Sequence, residues 1–214
     1  MTSRRDTVRA LLERHGRTYG DQAGIRLRDT PGPLYQLLVL AVLMSARINA
    51  DVAVAAGTEL FRSGLRSPRA MRDASWQQRV DALGRGHYRR YDERTSTMLG
   101  DGADLVLDRW RGDLRRLRDE AGSTRELEEL LQTVPGIGPT GAAIFVREVQ
   151  LVWPDHRPYV DAVAARGARR LGLPATPKLL QAYASEDDFP RLVAGCVRAA
   201  LSKKVVDDVA GNTS

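Results

Sequence analysis

The sequence predicts an all-α protein. Nearly every segment carries helix start or stop signals, alternating apolar and polar strand patterns are missing along with Asn-Gly hairpin turns, and one long segment is apolar on almost every face.

Thr2 or Ser3 can cap a first amphipathic helix that places Val8, Leu11 and Leu12 on one face. After the turn-rich DTPGP stretch, LYQLLVLAVLMSA has the all-round apolarity of a helix at the centre of a bundle. Asp51 opens DVAVAAGTELF, Ser67-Pro68 supplies a cap followed by proline, and Ser75 begins WQQRVDAL, which Gly84 and Gly86 stop. His87 to Arg111 reads as helix, with a kink or break expected at the GDG of positions 100–102. Ser123 with Glu126 forms a capping box for TRELEELLQTV. VPGIGPTG then precedes the apolar run AAIFVREVQLVW, PDHRP turns the chain, and Asp161 opens VDAVAARGARRLGL. Thr176-Pro177 and Ser185 mark two further starts, and the polar tail VDDVAGNTS is expected to fray. There is no internal repeat and no low-complexity linker, and the short connections argue for a compact unit.

Composition narrows the function classes. A chain of 214 residues can bury a full core, as one domain or as two small lobes. Its net charge of +6 favours polyanionic partners, nucleic acid or an anionic membrane surface. Among 33 basic residues only Lys178, Lys203 and Lys204 are lysines, so no lysine before position 178 can form a Schiff base. Cys196 is the single cysteine, which excludes an intramolecular disulfide and a four-cysteine iron–sulfur cluster held by one chain. Leu192, Val193, Val197 and Leu201 around it point to a buried thiol. The N-terminal residues are charged throughout, and no run approaches about 18 apolar residues. No membrane association is expected, and a cytoplasmic location, nucleoid-associated in a prokaryote, is. His87 and His156 belong to no recognisable nucleophile or metal constellation.

The segment LLQTVPGIGPTGAAIFV sets a Gly-x-Gly turn between two apolar helices. Free N–H groups at the start of the second helix suit a phosphate oxygen, and glycine at 136, 138 and 141 lets a nucleic-acid backbone approach. A tight helix–helix turn explains the same glycines.

VPGIGPTGA resembles the helix-hairpin-helix with which polymerases, ligases and repair glycosylases hold a DNA backbone. In that motif a monovalent cation often sits on turn carbonyls, which correspond here to Gln132, Val134 and Ile137. RPYVDAVAARGARRLGL resembles the segment of endonuclease III-like, Gly/Pro-Asp glycosylases that carries the catalytic aspartate, here Asp161, although an ordinary N-cap explains an aspartate there too. The interval from Gly138 is a few residues longer than is usual in the family. VLAVLMSARINADV resembles the family's helix and loop whose tip fills the gap left by an extruded base. Glutamine is common at that tip and Arg47 holds it here, as wedge or as phosphate contact. LGRGHYRRYDE resembles the Gly-x-Tyr helix start bordering the base pocket, with Tyr88 as pocket residue or as a buried structural tyrosine.

The resemblance spans roughly residues 31–172. It implies a six-helix lobe over 31–152, with the hairpin at about 124–152, and a second lobe from 1–30 plus 153–214 that carries Asp161, double-stranded DNA lying in a cleft between them. Gly136, Gly138, Thr140 and Gly141 would anchor the strand. Lyase-active relatives have a lysine where this chain has Thr140, so the resemblance implies a monofunctional, monomeric DNA glycosylase of base excision repair that needs no cofactor. Adenine-removing relatives have a glutamate where this chain is apolar, at or near Leu40. Cluster-free branches of the family act on alkylated bases, oxidised guanine or pyrimidines mismatched with guanine. The competing readings are a non-catalytic DNA-binding protein of the same fold and an abasic-site lyase or endonuclease.

Overall fold

The computed structural model describes residues 3–211, all of whose regular elements are helical. In chain order they are α1 (Arg4–His15), α2 (Tyr19–Gln22), α3 (Pro31–Ser45), α4 (Ala50–Arg62), α5 (Pro68–Asp73), α6 (Trp76–Arg85), α7 (Asp92–Trp110), α8 (Leu114–Glu120), α9 (Thr124–Leu131), α10 (Pro139–Val149), a 3-10 turn (Pro154–His156), α11 (Ala162–Arg170), α12 (Pro177–Gln181), α13 (Phe189–Leu201) and α14 (Lys203–Val209). Among the described residues no helix is long and apolar enough to cross a membrane. The chain divides into a central unit, Gly20–Val152, and a terminal unit made of Met1–Tyr19 with Trp153–Ser214.

The central unit is built around α3. Leu34, Tyr35 and every residue from Leu37 to Leu43 are buried, because α4, α7, α8 and α10 pack on its successive faces. Full burial of each such leucine stabilises the fold by about 1.5–3 kcal/mol, which is why the segment can be apolar all round. Residues 20–30 belong to this unit rather than to the other. The Gly20 N–H donates to the Glu148 carboxylate at 3.0 Å, and Asp29 pairs with Arg118 at 2.8 Å.

In the terminal unit α13 packs against α1, α11 and α14. The approach of α11 to α13 is set by Gly167, where a Cβ would collide with the Cys196 carbonyl oxygen, and a Cβ at Gly195 would press on the Leu11 side chain of α1 at 2.7 Å. Arg170 donates to the carbonyls of Ala199 (3.2 Å) and Ala200 (2.8 Å), pinning the end of α11 to that of α13.

The caps at Ser3, Ser67, Ser75 and Asp161 all accept a hydrogen bond from the first turn of their helices. Thr2 lies outside the described residues. Several expectations are corrected. No kink follows from Gly100 and Gly102: α7 runs unbroken through both, because the two glycines make room for Arg79 and Val134 from neighbouring segments. That helix begins only at Asp92, since His87 is left-handed (φ 63°) and turns the chain. Asn49, not Asp51, caps α4. At α9 the Ser123 hydroxyl takes the Glu126 N–H, but the Glu126 carboxylate reaches Gly122 instead of Ser123. Residues 212–214 of the tail lie outside the described residues; the part before them is helical to Val209, held by Asp208, which accepts from His15 at 2.8 Å and from Arg14 at 3.3 Å. Helix α8, capped by Asp113, carried no apolar stripe strong enough to be read ahead of its fold.

Candidate functional site

The hairpin joins α9 to α10 through residues 132–138. Gly136 adopts φ 86°, a left-handed conformation that favours glycine, and the Ile137 N–H closes the turn on the Val134 carbonyl at 3.0 Å. Pro139 stands at the first position of α10, and the first backbone bond runs from the Ala142 N–H to the Gly138 carbonyl at 3.0 Å. Among the described residues no backbone carbonyl accepts from the N–H groups of Gly138, Thr140 or Gly141. These donors sit at the positive end of the helix dipole, an arrangement that holds an anion's oxygen.

The three glycines divide by what surrounds them. At Gly138 a Cβ would meet nothing, so its backbone is open. At Gly136 a Cβ would press on Val42 and Met98 at 3.0 and 3.3 Å, and at Gly141 it would collide with the Ser45 hydroxyl. Packing inside the unit therefore accounts for the missing side chains at 136 and 141. Gly141 is buried, and what it offers a ligand is its N–H. Thr140 is exposed on the first turn.

Of the residues matched to a turn cation, Val134 and Ile137 have buried side chains, Gln132 is exposed, and the Val134 carbonyl accepts from the Ile137 N–H at 3.0 Å. Neutral carbonyl oxygens suit a monovalent cation. Among the described residues no group of three His, Cys, Asp or Glu side chains is placed to hold a metal.

Three of the segments singled out in the sequence meet at one cleft of about 290 Å³ in the central unit. Val42, Ser45 and Ala46 come from the end of α3, Gly136 from the hairpin, and Tyr88 with Tyr91, Arg94, Thr95 and Met98 from the approach to α7 and its first turns. Tyr88 is wholly buried: its hydroxyl donates to the Leu43 carbonyl and accepts from Thr95, both at 3.4 Å. Burial raises its hydroxyl above the ordinary tyrosine range, and the Thr95 hydrogen bond offsets part of that. Sequence reasoning missed Tyr91, Arg94 and Met98. Their signal was present, because positions 91, 94, 95 and 98 share one face of a helix.

Arg47 stands exposed in the connection from α3 to α4. Ala46 leaves α3 in an extended conformation, the Ile48 N–H folds back to the Ala46 carbonyl at 2.8 Å, and Asn49 starts α4, so Arg47 lies at the apex of a tight bend.

Asp161 belongs to the terminal unit. It is 9% exposed and caps α11, with Oδ1 accepting the Ala164 N–H at 2.7 Å. The packing of α11 on α13 through Gly167 thereby sets where the carboxylate lies within its unit. His156 is buried with its ring 6.0 Å from that of Trp153, and His87 is exposed. Lys178, Lys203 and Lys204 are all exposed residues of the terminal unit.

No protein-family model matches the sequence, and no curated protein matches it. Among solved structures, the chain is similar to a trapped endonuclease III–DNA covalent intermediate, an estranged-adenine complex. The TM-score is 0.50 at 16% identity, over 92% of this chain and 86% of that one. The likeness shows an endonuclease III-like, all-α helix-hairpin-helix fold.

Proposed function

We propose that this protein is a monofunctional DNA glycosylase that binds double-stranded DNA as a monomer and hydrolyses the N-glycosidic bond of a damaged or mismatched base, with no obligatory cofactor. The observation that carries the reading is Asp161, a buried carboxylate oriented by the Ala164 N–H, in a fold whose hairpin offers unpaired N–H donors to a phosphate. The solved structure of similar fold holds DNA.

As the C1′–N bond breaks, the base leaves with the bonding electron pair and the sugar gains oxocarbenium character. A fixed carboxylate stabilises that charge, orients a water toward C1′ and takes its proton. The N–H groups of Gly138, Thr140 and Gly141 would hold the strand, and Arg47 would occupy the space left by the extruded base. Main-chain oxygens of Gln132, Val134 and Ile137 would hold a monovalent cation that stiffens the turn, and no chemical step needs it. The central unit, Gly20–Val152, contains no lysine, which favours hydrolysis over attack by an amine on the sugar.

The test is a panel of duplexes bearing alkylated bases, oxidised guanine or guanine mismatches, scored separately for free base and for strand breaks. Base release without strand scission is expected. Asp161→Asn keeps the cap but not the charge, and should lower release by about 100- to 1,000-fold while leaving duplex binding intact. A second reading, a DNA-binding protein without catalysis, is favoured by the same cap bond, which by itself accounts for an aspartate at that position. Absence of base release from every duplex would favour it.

A further inference from the structure

We propose that the exposed face of α11 is a second phosphate-binding surface, on which Arg166, Arg169 and Arg4 hold the backbone of a DNA strand. The proposal rests on the reading of this protein as DNA-binding. It does not depend on the chemistry assigned to Asp161 or on which base is released.

Helix α11 divides sharply between its two sides. Ala164, Ala165, Gly167 and Ala168 are buried, and Gly167 brings the helix close against α13. Arg166 and Arg169 stand three residues apart, which on a helix is the same face, and both are exposed. Arg170 is turned elsewhere, onto the Ala199 and Ala200 carbonyls. Arg4 adds a third exposed guanidinium, because its Nε donates to the carbonyl of Gly172, just past the end of α11, at 3.0 Å.

No carboxylate balances this charge. Residues 162–185 include Arg166, Arg169, Arg170 and Lys178 but no Asp or Glu, and α13 carries none either. Of the acids that lead into α13, Glu186 is engaged by Arg157 at 3.6 Å and Asp188 by Arg191 at 2.6 Å. Among the described residues no carboxylate pairs with Arg4, Arg166 or Arg169, whereas Arg14 of the same unit meets Asp208. The helix dipole accounts for a cation in the last turn, where Arg169 stands, but not for Arg166 in the middle of the helix. An arginine without a carboxylate suits a phosphate, two of whose oxygens the planar guanidinium fork meets at once.

The spacing fits a nucleic-acid strand. At a rise of about 1.5 Å per residue, Arg166 and Arg169 lie about 7.5 and about 12 Å along the axis from Asp161, which caps the same helix. Successive nucleotides of a duplex strand rise by about 3.4 Å, so these intervals amount to about two to four nucleotides. One strand can therefore meet the carboxylate and both arginines.

The test measures binding of the full chain to an undamaged duplex of about 20 base pairs across a series of salt concentrations. Each lost phosphate contact lowers the slope of log affinity against log salt by about 0.9. Arg166→Gln with Arg169→Gln should therefore flatten the slope by about two. Arg166→Lys with Arg169→Lys keeps the charges and should change it by less than about 0.5. The control is Arg62→Gln with Arg125→Gln, which removes the same charge from exposed arginines already held by Glu59 and Glu129, and it should also change the slope by less than about 0.5. A change in the α11 glutamine variant no larger than in the control overturns the proposal and leaves DNA binding standing. A flat slope in the parent protein overturns both. An equal change with lysine and with glutamine would make the effect one of packing, and overturns the proposal as well. So does an unchanged duplex slope together with Arg166- and Arg169-dependent binding to phosphatidylserine vesicles, which would assign the surface to an anionic membrane.

Discussion

Asp161, Thr140 and Cys196 illustrate how much one residue can settle. That Asp161 starts a helix is legible in the sequence, because a short carboxylate ahead of an alanine-rich run satisfies an otherwise unpaired N–H. Its burial is not legible, since that depends on residues far along the chain. At Thr140 the absent amine makes a sharp expectation: borohydride added during turnover should trap no covalent protein–DNA adduct, and efficient trapping would withdraw the monofunctional assignment. Cys196 is fully buried on α13, and burial pushes its thiol up to about 12, where little thiolate exists at neutral pH. A thiol reagent at pH 8 should therefore leave the folded protein unlabelled and modify it promptly in denaturant. Rapid labelling of the native state would mean that α13 opens far more often than its packing implies.

The elements were readable where local chemistry dominates and unreadable where packing does. Ser67-Pro68 and Ser75 declared their helices through their own caps, but the GDG of α7 looked like a break and is not one. Its meaning lies in Arg79, an 8% exposed residue that donates to the carbonyls of Met71 (2.9 Å), Ala74 (2.7 Å) and Ser96 (2.9 Å) and lies against Gly100. This side chain ties the end of α5 to α6 and α7. Arg79→Met would strand those carbonyls and should cost about 3 kcal/mol in a urea titration with an unchanged slope. Gly167→Ala is expected to be as severe, about 3 kcal/mol, because the added methyl meets a backbone carbonyl of α13 that has no rotamer to yield. It should also impair base release beyond the stability loss, since α11 carries Asp161. A neutral Gly167→Ala would show that α11 and α13 slide apart freely.

At the scale of the whole molecule, the net charge of +6 is spread over exposed arginines, and DNA affinity should fall steeply with salt. A nearly flat plot of log affinity against log salt would contradict phosphate binding. Acid should loosen the α14 contact. The His15 hydrogen bond, followed by the nearby Arg14 charge, holds Asp208 below the usual carboxylate range. An acid with a lowered folded-state pKa contributes stability above its ordinary value of about 4 and loses it as pH falls through the lowered one. Protection factors of the amides of residues 203–209 should therefore fall below about pH 4 in the parent, and be lower but less acid-dependent in Asp208→Asn. The sequence by itself determined the all-α class, most helix starts, the hairpin and the lack of lysine before position 178, because caps, glycine turns and composition are local properties of the chain. Only the tertiary structure decided that residues 20–30 join the central unit, that Gly136 and Gly141 lie against side chains of α3, and that Tyr91, Arg94 and Met98 share a cleft with Ser45 and Gly136. Those facts depend on which helix packs against which, and close packing couples residues whose separation along the chain carries no local signal.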